Sequence, residues 1–494
     1  MRQISDEERA QLLPAEDLTT RLPLPTQIVA SDEYFPEPQS RQQKEVEARL
    51  MARGQAMADK LGISRRRFFQ SAAGMAAAFV AMNEVYGTLF DAQEAEAATP
   101  ELAMERARRM AHQTVFDCHT HFLRDDTRLT HFVEMRAAVG KSGWNPSLVS
   151  TEQTIDDLKF QNYFKEIFLD SDTGIGLITN SPSEIEADWF LTNDMVFQAR
   201  DRINKAAGSR RALAHYTIFP GHPGWLEGIE QAAQYKPEGW KGYTIGDNTN
   251  KQLARGWRLD DETLMYPAYE RMLKAGCNVL CVHKGLYAPS VERQYPNLRR
   301  FVDVSDVGKA AKDWPQMKFV VYHSGYRHVG GSPEEAMAEW DRTGRTSWVS
   351  DLAEIPARYG VDNVYGDLGQ LFAYTVVAQP RLAAAIMGTL IRGLGPDKVL
   401  WGTDAVWTGS PQWQIEGLRR LEIPEDMQKA HGFRPLGPAD GPLKRAIFAE
   451  NGFKVFNVRM AEVDRKDRFA AMKADYEAAG RDPSNLRYGY IRKA

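Results

Sequence analysis

The sequence predicts an α/β protein, a (β/α)8 barrel of the TIM type that follows a disordered or extended N-terminal arm and a signal segment. Short apolar runs alternate with helical patterns eight times between residues 115 and 404. This alternation is typical of parallel strands covered by helices. An open doubly wound sheet is the alternative, but no Gly-rich phosphate turn follows an early strand.

The composition is that of an ordinary globular protein. The chain has 494 residues, of which 43% are hydrophobic and 26% charged, with a formal net charge of -4. One large barrel with additions, or two to three small domains, would fit this length. The chain is mildly acidic, so its net charge does not indicate a nucleic-acid-binding protein. The three cysteines have no C-x-x-C spacing, so a disulfide framework is not expected.

The N-terminal region has the pattern of an export leader. Residues 1–60 are polar with little periodicity, which predicts a mostly disordered or extended arm. Arg65 and Arg66 then precede the short, Ala-rich apolar run 71–80. This order resembles a twin-arginine (Tat) signal, and Ala95-Glu96-Ala97 resembles its cleavage site.

This resemblance predicts the cellular location and the division of the chain. Residues 1–97 would form the arm and signal, and residues 98–494 the barrel. The protein would be periplasmic or otherwise extracytoplasmic, with the Tat machinery as a partner. The alternative is a basic, Ala-rich amphipathic helix in a cytoplasmic protein. No apolar run reaches the roughly 18 residues of a membrane span, so no stable span is predicted.

Eight runs are predicted as strands because they are short, apolar and rich in β-prone residues. They are 115–121, 176–179, 213–218, 240–245, 277–282, 318–322, 363–366 and 398–401. Helical periodicity precedes or separates them at 100–112, 154–169, 184–206, 225–235, 265–275, 304–314, 351–359 and 383–393. A long loop is predicted after the first strand, over 127–150.

The first strand ends in Asp117-x-His119-x-His121. Strand side chains alternate, so these three residues are expected on one face and Cys118, as a buried thiol, on the other. Two imidazoles spaced in this way can bind one first-row divalent ion. The alternative is a polar strand end whose histidines are only hydrogen-bonded.

Three more polar residues follow later strands. His283 ends the fifth strand, His323 the sixth and Asp404 the eighth. In a barrel all these ends converge on one mouth, where the chemistry of the fold occurs. Imidazoles and a carboxylate around one point can hold an ion and leave room for water, which the ion acidifies.

These motifs together resemble the amidohydrolase superfamily, and more narrowly the branch that contains aminocarboxymuconate-semialdehyde decarboxylase. The resemblance covers about residues 112–460. It rests on the motifs at 117–121, 282–283, 323, 401–404, 239–246, 264–267 and 444–451.

The resemblance implies a site with one divalent ion. Its ligands would be His119, His121, His283 and Asp404. Zinc is the expected ion, with manganese, iron or cobalt as alternatives. His323 would be the acid/base, and Asp404 would also take part in catalysis. Binuclear relatives carry a carboxylated lysine on strand four; here Thr244 occupies that place and Lys241 lies three residues earlier, so one ion is expected.

Three further residues are candidates for substrate binding. Arg327 could bind a substrate carboxylate or carry a charge of a surface loop. Lys284 could be a second anion contact or the partner of a neighbouring carboxylate. Trp407 could form an aromatic wall or pack in the core. The implied function is a metal-dependent hydrolase or decarboxylase that acts on a small carboxylated or aromatic substrate through a metal-bound water. The alternative is an exported metal-binding protein without catalytic activity. A homo-oligomer is compatible with either function.

Overall fold

The structure is a computed structural model, and it describes residues 12–14, 22–26, 39–130, 155–328, 333–463, 466–480 and 490–492. Most of the predicted loop 127–150 lies outside these residues. Near the two ends of the chain, Leu12–Pro14 pairs antiparallel with Tyr490–Arg492.

Eight parallel strands form the barrel, and they pair in chain order. They are β1 Phe116–Thr120, β2 Ile175–Ile178, β3 Ala212–Thr217, β4 Gly239–Tyr243, β5 Val279–His283, β6 Lys318–Tyr322, β7 Val364–Asp367 and β8 Val399–Leu400. Each lies within two residues of the run predicted for it. The predicted eight-stranded barrel is therefore confirmed.

The barrel closes between its last and first strands. The N–H of Cys118 donates to the carbonyl of Trp401 at 2.9 Å. The N–H of Asp404 donates to the carbonyl of His119, also at 2.9 Å. Because these bonds join the segment after β8 to β1, they bring the end of the eighth strand beside the His-x-His pair.

Helices cover the outside of the barrel. Five of them precede β1: α1 Arg41–Leu61, α2 Arg65–Phe69, α3 Ala72–Tyr86, α4 Glu94–Ala98 and α5 Pro100–Met110. The later ones are α6 Phe160–Phe164, α7 Asn193–Ala207, α8 Trp225–Ala232, α9 Tyr266–Lys274, α10 Pro289–Gln294, α11 Arg299–Val302, α12 Val307–Asp313, α13 Pro333–Thr343, α14 Val349–Tyr359, α15 Gly369–Ala378, α16 Pro380–Gly393, α17 Gln412–Arg420, α18 Glu425–His431, α19 Pro442–Arg445, α20 Asn451–Val455 and α21 Arg468–Ala478. No helix in the described ranges combines the length and apolarity needed to cross a membrane.

The prediction of an arm without regular structure is wrong for Arg41–Leu61, which is helical. A capping box starts this helix: Ser40 Oγ accepts the N–H of Gln43 at 3.2 Å, and Gln43 Oε1 accepts the N–H of Ser40 at 2.7 Å. Such a box satisfies two backbone donors at the helix start. Val46 and Leu50 are buried in the N-terminal layer, which consists of helices α1 to α5.

The predicted signal segment lies inside the N-terminal layer. The paired arginines open α2, and Arg66 is exposed. The Ala-rich α3 is buried almost all round, because alanine lets neighbouring helices approach closely. Phe79 on this helix is 1% exposed and packs against Phe90, with ring centroids 4.9 Å apart.

The layer is joined to the barrel at the end of α17. The N–H of Asp91 donates to the carbonyl of Arg420 at 2.7 Å. The guanidinium of Arg420, only 3% exposed, pairs with Glu96 at 2.5 Å. Glu96 belongs to the predicted cleavage site, which here forms part of α4. Cleavage there stays a prediction.

Candidate metal centre

Three side chains converge at the carboxyl ends of the first and eighth strands. Nε2 of His119 lies 3.1 Å from Nε2 of His121. Oδ1 of Asp404 lies 3.2 Å from the first of these nitrogens and 3.1 Å from the second. All three side chains are buried. They form one of the compact groups of metal-binding side chains among the described residues.

The spacing of these three atoms fits a divalent ion. An ion displaced by about 1 Å from their plane would lie about 2.0–2.1 Å from each, which matches zinc bound to imidazole nitrogen and carboxylate oxygen. Nitrogen and oxygen atoms this close together must share either a proton or a cation, since their lone pairs otherwise repel one another. The donor set therefore fits the predicted metal.

The orientation of His119 is set by a residue that the sequence argument left without a role. Oδ1 of Asp367, at the end of β7, lies 3.1 Å from Nδ1 of His119. When Nδ1 carries the proton and donates to this carboxylate, Nε2 keeps its lone pair for a metal, as is usual for ligating histidines. On the other imidazole, Oγ1 of Thr179 lies 3.0 Å from each ring nitrogen of His121.

Asp367 also contacts the segment that carries His323. Its Oδ1 accepts the backbone N–H of His323 at 3.3 Å. Burial raises the pKa of Asp367 to about 8, while the N–H of His323 and the charge of Lys241 lower it. A divalent cation on the far side of His119 would lower this pKa further, because opposite charge favours the ionised form.

The first strand does not alternate regularly, so the predicted side-chain directions are partly wrong. Its register with β2 shifts between Asp117 and Thr120. Cys118 is buried as expected but lies in the same interior cluster as Tyr322. The ring centroid of Tyr322 lies 3.8 Å from that of His119. Asp117 instead accepts two hydrogen bonds from Thr403. The backbone N–H of Thr403 donates one at 3.1 Å, and its side-chain hydroxyl donates the other at 2.5 Å. The bulge allows adjacent side chains to point inward.

His323 lies beside the three converging atoms. It forms the second compact group with His119 and Asp367, and its ring centroid is 4.9 Å from that of His119. Its backbone is left-handed, with φ 57°, so the chain turns sharply at the end of β6. Nδ1 of His323 accepts the backbone N–H of Gln370 at 3.2 Å. The neutral ring therefore carries its proton on Nε2.

His283 adjoins this group without joining either compact set. Its ring is 4.9 Å from the ring of His323 and stacks on Tyr243 at 4.8 Å. Its charge, if present, would lower the pKa values of His119, His121 and His323. His283 is therefore close enough to contribute to the site, and its role as the fourth ligand stays a prediction.

The histidines of the centre are held neutral. Burial lowers the pKa values of His119, His121 and His323 well below the ordinary value, and the positive charge of Lys241 adds to this effect. Only a neutral imidazole offers a lone pair to a metal. These three rings can therefore bind a cation without first losing a proton.

Lys241, which the sequence placed too early for a metal-bridging role, is fully buried inside the barrel. Its Nζ lies 3.7 Å from the ring centroid of Tyr322 and 4.8 Å from that of Tyr243. A cation over aromatic faces is stabilised by the ring quadrupole. These contacts place a positive charge beneath the histidine cluster.

Trp407 lies at the centre, as the sequence predicted for an aromatic wall. Its ring stacks on that of His121, with centroids 5.8 Å apart, and meets Phe190 edge-on at 5.4 Å. Phe190 in turn contacts His121 at 5.9 Å. Two aromatic side chains thus cover one flank of the metal ligands, and contact with a substrate stays a prediction.

The proposed substrate contact of Lys284 conflicts with its position. Its Nζ lies 2.9 Å from Oδ1 of Asp306, and both side chains are fully buried. It also donates to the carbonyls of Phe301 at 2.9 Å and Asp303 at 2.8 Å. Since an ammonium group has three donors, none is left for a substrate. Lys284 instead ties β5 to the segment before α12.

Arg327 forms an ion pair with Glu292. Its guanidinium lies 2.9 Å from Oε2 of Glu292 and 5.4 Å from the ring centroid of Trp348. The neighbouring His328 pairs with Glu339 at 2.6 Å. Glu339 lies on α13, a helix that the sequence argument did not predict in the segment 324–349. Binding of a substrate by Arg327 stays a prediction.

Comparison with sequence families agrees with the motifs. A sequence model of the amidohydrolase family matches residues 116–458. No curated protein matches the chain significantly. Among solved structures, 5-carboxyvanillate decarboxylase from Sphingomonas paucimobilis is 15% identical, with TM-score 0.40, over 70% of this chain and 100% of that one.

Two further solved structures show similar values. The 2,6-dihydroxybenzoate decarboxylase from Rhizobium is 11% identical, with TM-score 0.40, over 70% of this chain and 99% of that one. A zinc-bound amidohydrolase from Burkholderia multivorans is 13% identical, with TM-score 0.42, over 70% of this chain and 100% of that one. The family assignment rests on the sequence match, which spans more than half of the chain and includes every predicted metal ligand. The chain therefore belongs to the amidohydrolase family.

Proposed function

We propose that this protein is a divalent-metal-dependent enzyme that removes a carboxyl group from a small aromatic acid. The observation that carries the proposal is the convergence of His119, His121 and Asp404 on one point beside His323. Zinc is the proposed ion, because two imidazole nitrogens and a carboxylate are ligands that it prefers. Hydrolysis is the second candidate, because a divalent ion held by such ligands can also lower the pKa of a bound water and make it a nucleophile.

The three converging residues would hold the ion, and His283 is proposed as the fourth ligand. When bound, a divalent ion polarises a substrate oxygen and stabilises negative charge that develops there. Its charge also attracts an acidic substrate into a cluster of neutral histidines. The side chains of Trp407 and Phe190 beside His121 favour a flat, apolar body for that substrate.

The hydrogen bond at Nδ1 of His323 supports decarboxylation over a hydrolysis in which this histidine is the base. With Nδ1 occupied by the N–H of Gln370, neutral His323 presents an N–H at Nε2 and no lone pair there. Such a ring donates a hydrogen bond to a substrate oxygen but does not take a proton from water through Nε2. Hydrolysis needs that proton removed. Decarboxylation does not, since the substrate loses its carboxyl group as carbon dioxide and a proton from solvent replaces it on carbon.

Product analysis tests this proposal. The purified protein, loaded with zinc or manganese, would be incubated with carboxylated phenols, lactones and amides. Release of carbon dioxide with a decarboxylated product is expected, and it should disappear in the His119→Ala/His121→Ala variant. Hydrolysis of a lactone or amide alone would favour the second candidate. Stoichiometric metal without turnover of any of these compounds would favour a metal-binding protein that lacks activity.

For the cellular location, we propose export through the Tat system in the folded state. The support is the Arg65-Arg66 pair before a short apolar run, together with the exposure of Arg66 at the surface of the N-terminal layer. Replacing both arginines with lysine should retain the protein in the cytoplasm, while Arg67→Lys should not. Equal periplasmic amounts of both variants would refute the proposal.

A further inference from the structure

Asp367 lies between the proposed metal ligand His119 and the proposed substrate-binding His323. It ends β7, and its side chain is fully buried. One oxygen, Oδ1, lies 3.1 Å from Nδ1 of the ligand His119 and accepts the backbone N–H of His323 at 3.3 Å. A single carboxylate oxygen therefore contacts both residues.

The surrounding backbone leaves room for this carboxylate. A Cβ on Gly402 would collide with Oδ2 of Asp367, so only glycine fits at that point of the loop after β8. Gly369, with φ 45°, allows the turn after β7, and a Cβ there would lie 2.6 Å from Nδ1 of His323. The close packing fixes the carboxylate, because displacing it would require movement of the loops that carry Asp404 or Gln370.

We propose that Asp367 is a positioning residue that couples the metal ligand His119 to the substrate-facing His323. It holds the proton of His119 on Nδ1, which directs the lone pair of Nε2 toward the ion. It also fixes the backbone turn from which the ring of His323 projects. The inference rests on the proposed metal centre and adds to it a residue outside the predicted ligand set.

Metal affinity provides the primary test. The apparent dissociation constant for Zn²⁺ would be measured against a chromophoric chelator for wild type, Asp367→Ala and Asp367→Asn. A residue that orients a ligating histidine typically contributes 10–100-fold in metal affinity. Asp367→Ala should therefore bind zinc about 10–100-fold more weakly. Asp367→Asn should recover part of this loss, because its amide oxygen can still accept the N–H of His119.

Two controls separate this role from a general loss of folding. Asp362→Ala removes an exposed aspartate just before the same strand and should leave zinc affinity unchanged. Gly402→Ala keeps Asp367 but crowds both its carboxylate and the Cβ of His119, so it should weaken zinc binding in the same direction. Denaturant unfolding of each metal-free variant gives its stability independently. If Asp367→Ala does not fold, weaker zinc binding by folded Asp367→Asn supports the proposal, and wild-type affinity in that variant overturns it.

The coupling to His323 has its own readout. At saturating zinc, kcat of Asp367→Ala should still lie below that of wild type, because the turn at His323 has lost its acceptor. Zinc affinity within twofold of wild type in folded Asp367→Ala would overturn the proposal, as would full kcat at saturating metal. A wild-type protein that binds no metal would instead refute the proposed function, and this inference with it.

Discussion

Nε2 of His119 lies 3.2 Å from Oδ1 of Asp404, although His119 belongs to the first strand of the barrel and Asp404 follows the last. The hydrogen bonds that close the barrel bring these strand ends together. Neither residue alone defines a site, since a buried histidine or aspartate is equally compatible with a structural hydrogen bond. Their approach, with Nε2 of His121 at the same spacing, is what indicates a cation.

The first prediction concerns metal content. Elemental analysis of the wild-type protein should find one divalent ion per chain. The His119→Ala/His121→Ala variant should retain none, because two of the three converging atoms are lost. His112→Ala, at an exposed histidine shortly before β1, is the matched control and should keep the ion. Full metal content in the double variant would place the ion elsewhere.

The second prediction separates His323 from His283. His323→Ala should keep the metal and lose activity by about 10²–10³-fold, a typical contribution of one hydrogen-bond donor to negative charge that develops on a substrate. His283→Ala should lower metal affinity. His323→Gln should exceed His323→Ala in activity, since its amide N–H can replace the donor at Nε2. Equal metal loss in His323→Ala and His283→Ala would show that both histidines are ligands.

The third prediction concerns the buried pair of Lys284 and Asp306. Lys284→Ala would leave Asp306 buried without its cation, which typically costs about 3–5 kcal/mol in the free energy of unfolding. Lys309→Ala breaks an exposed pair with Asp313 and should cost far less, because solvent screens exposed ion pairs. Denaturant unfolding of both variants measures the difference. Equal stability of the two variants would contradict the structural role given to Lys284.

The fourth prediction tests whether the N-terminal layer is part of the folded enzyme. Phe79→Ala removes a ring that is 1% exposed, so the free energy of unfolding should fall by about 3–5 kcal/mol. Leu102→Ala, at a side chain 46% exposed in the same layer, should change it by less than about 0.5 kcal/mol. A layer that is detached in solution would give small changes for both variants.

The fifth prediction concerns pH. Burial alone would raise the pKa of Asp172, but the charges of Arg419 and Lys473 and hydrogen bonds from Arg419 and Gln412 hold it well below its ordinary value. A depressed carboxyl pKa adds stability above the unfolded pKa of about 3.9, and this stability is lost as the pH falls further. Asp172→Asn should therefore lower the free energy of unfolding at pH 7 by about 1.5–3 kcal/mol.

The same experiment at low pH supplies the control for this pair. As the pH falls below about 4, Asp172 takes up a proton in the unfolded chain while it stays ionised in the folded protein, so the advantage of the wild type over Asp172→Asn should shrink. A difference between wild type and variant that stays constant from pH 7 to pH 3 would show that the effect comes from packing rather than from charge.

Local sequence patterns were enough to predict the barrel and the residue types at its mouth. Strand periodicity is local, because side chains alternate and apolar runs of four to six residues mark buried strands. All eight strands could therefore be placed, and His119, His121 and Asp404 could be assigned to one mouth. The family match over residues 116–458 agrees with the extent inferred from motifs.

Which side chains meet at the mouth depends on long-range packing. Asp367 was visible at the end of a predicted strand, but its contact with His119 depends on the packing of β7 against the mouth. Lys284 carried the right charge for a substrate carboxylate, yet Asp306 from a distant segment binds it. The register shift in β1 likewise places Cys118 inside the barrel. Such contacts join residues far apart in the chain, so no local pattern encodes them.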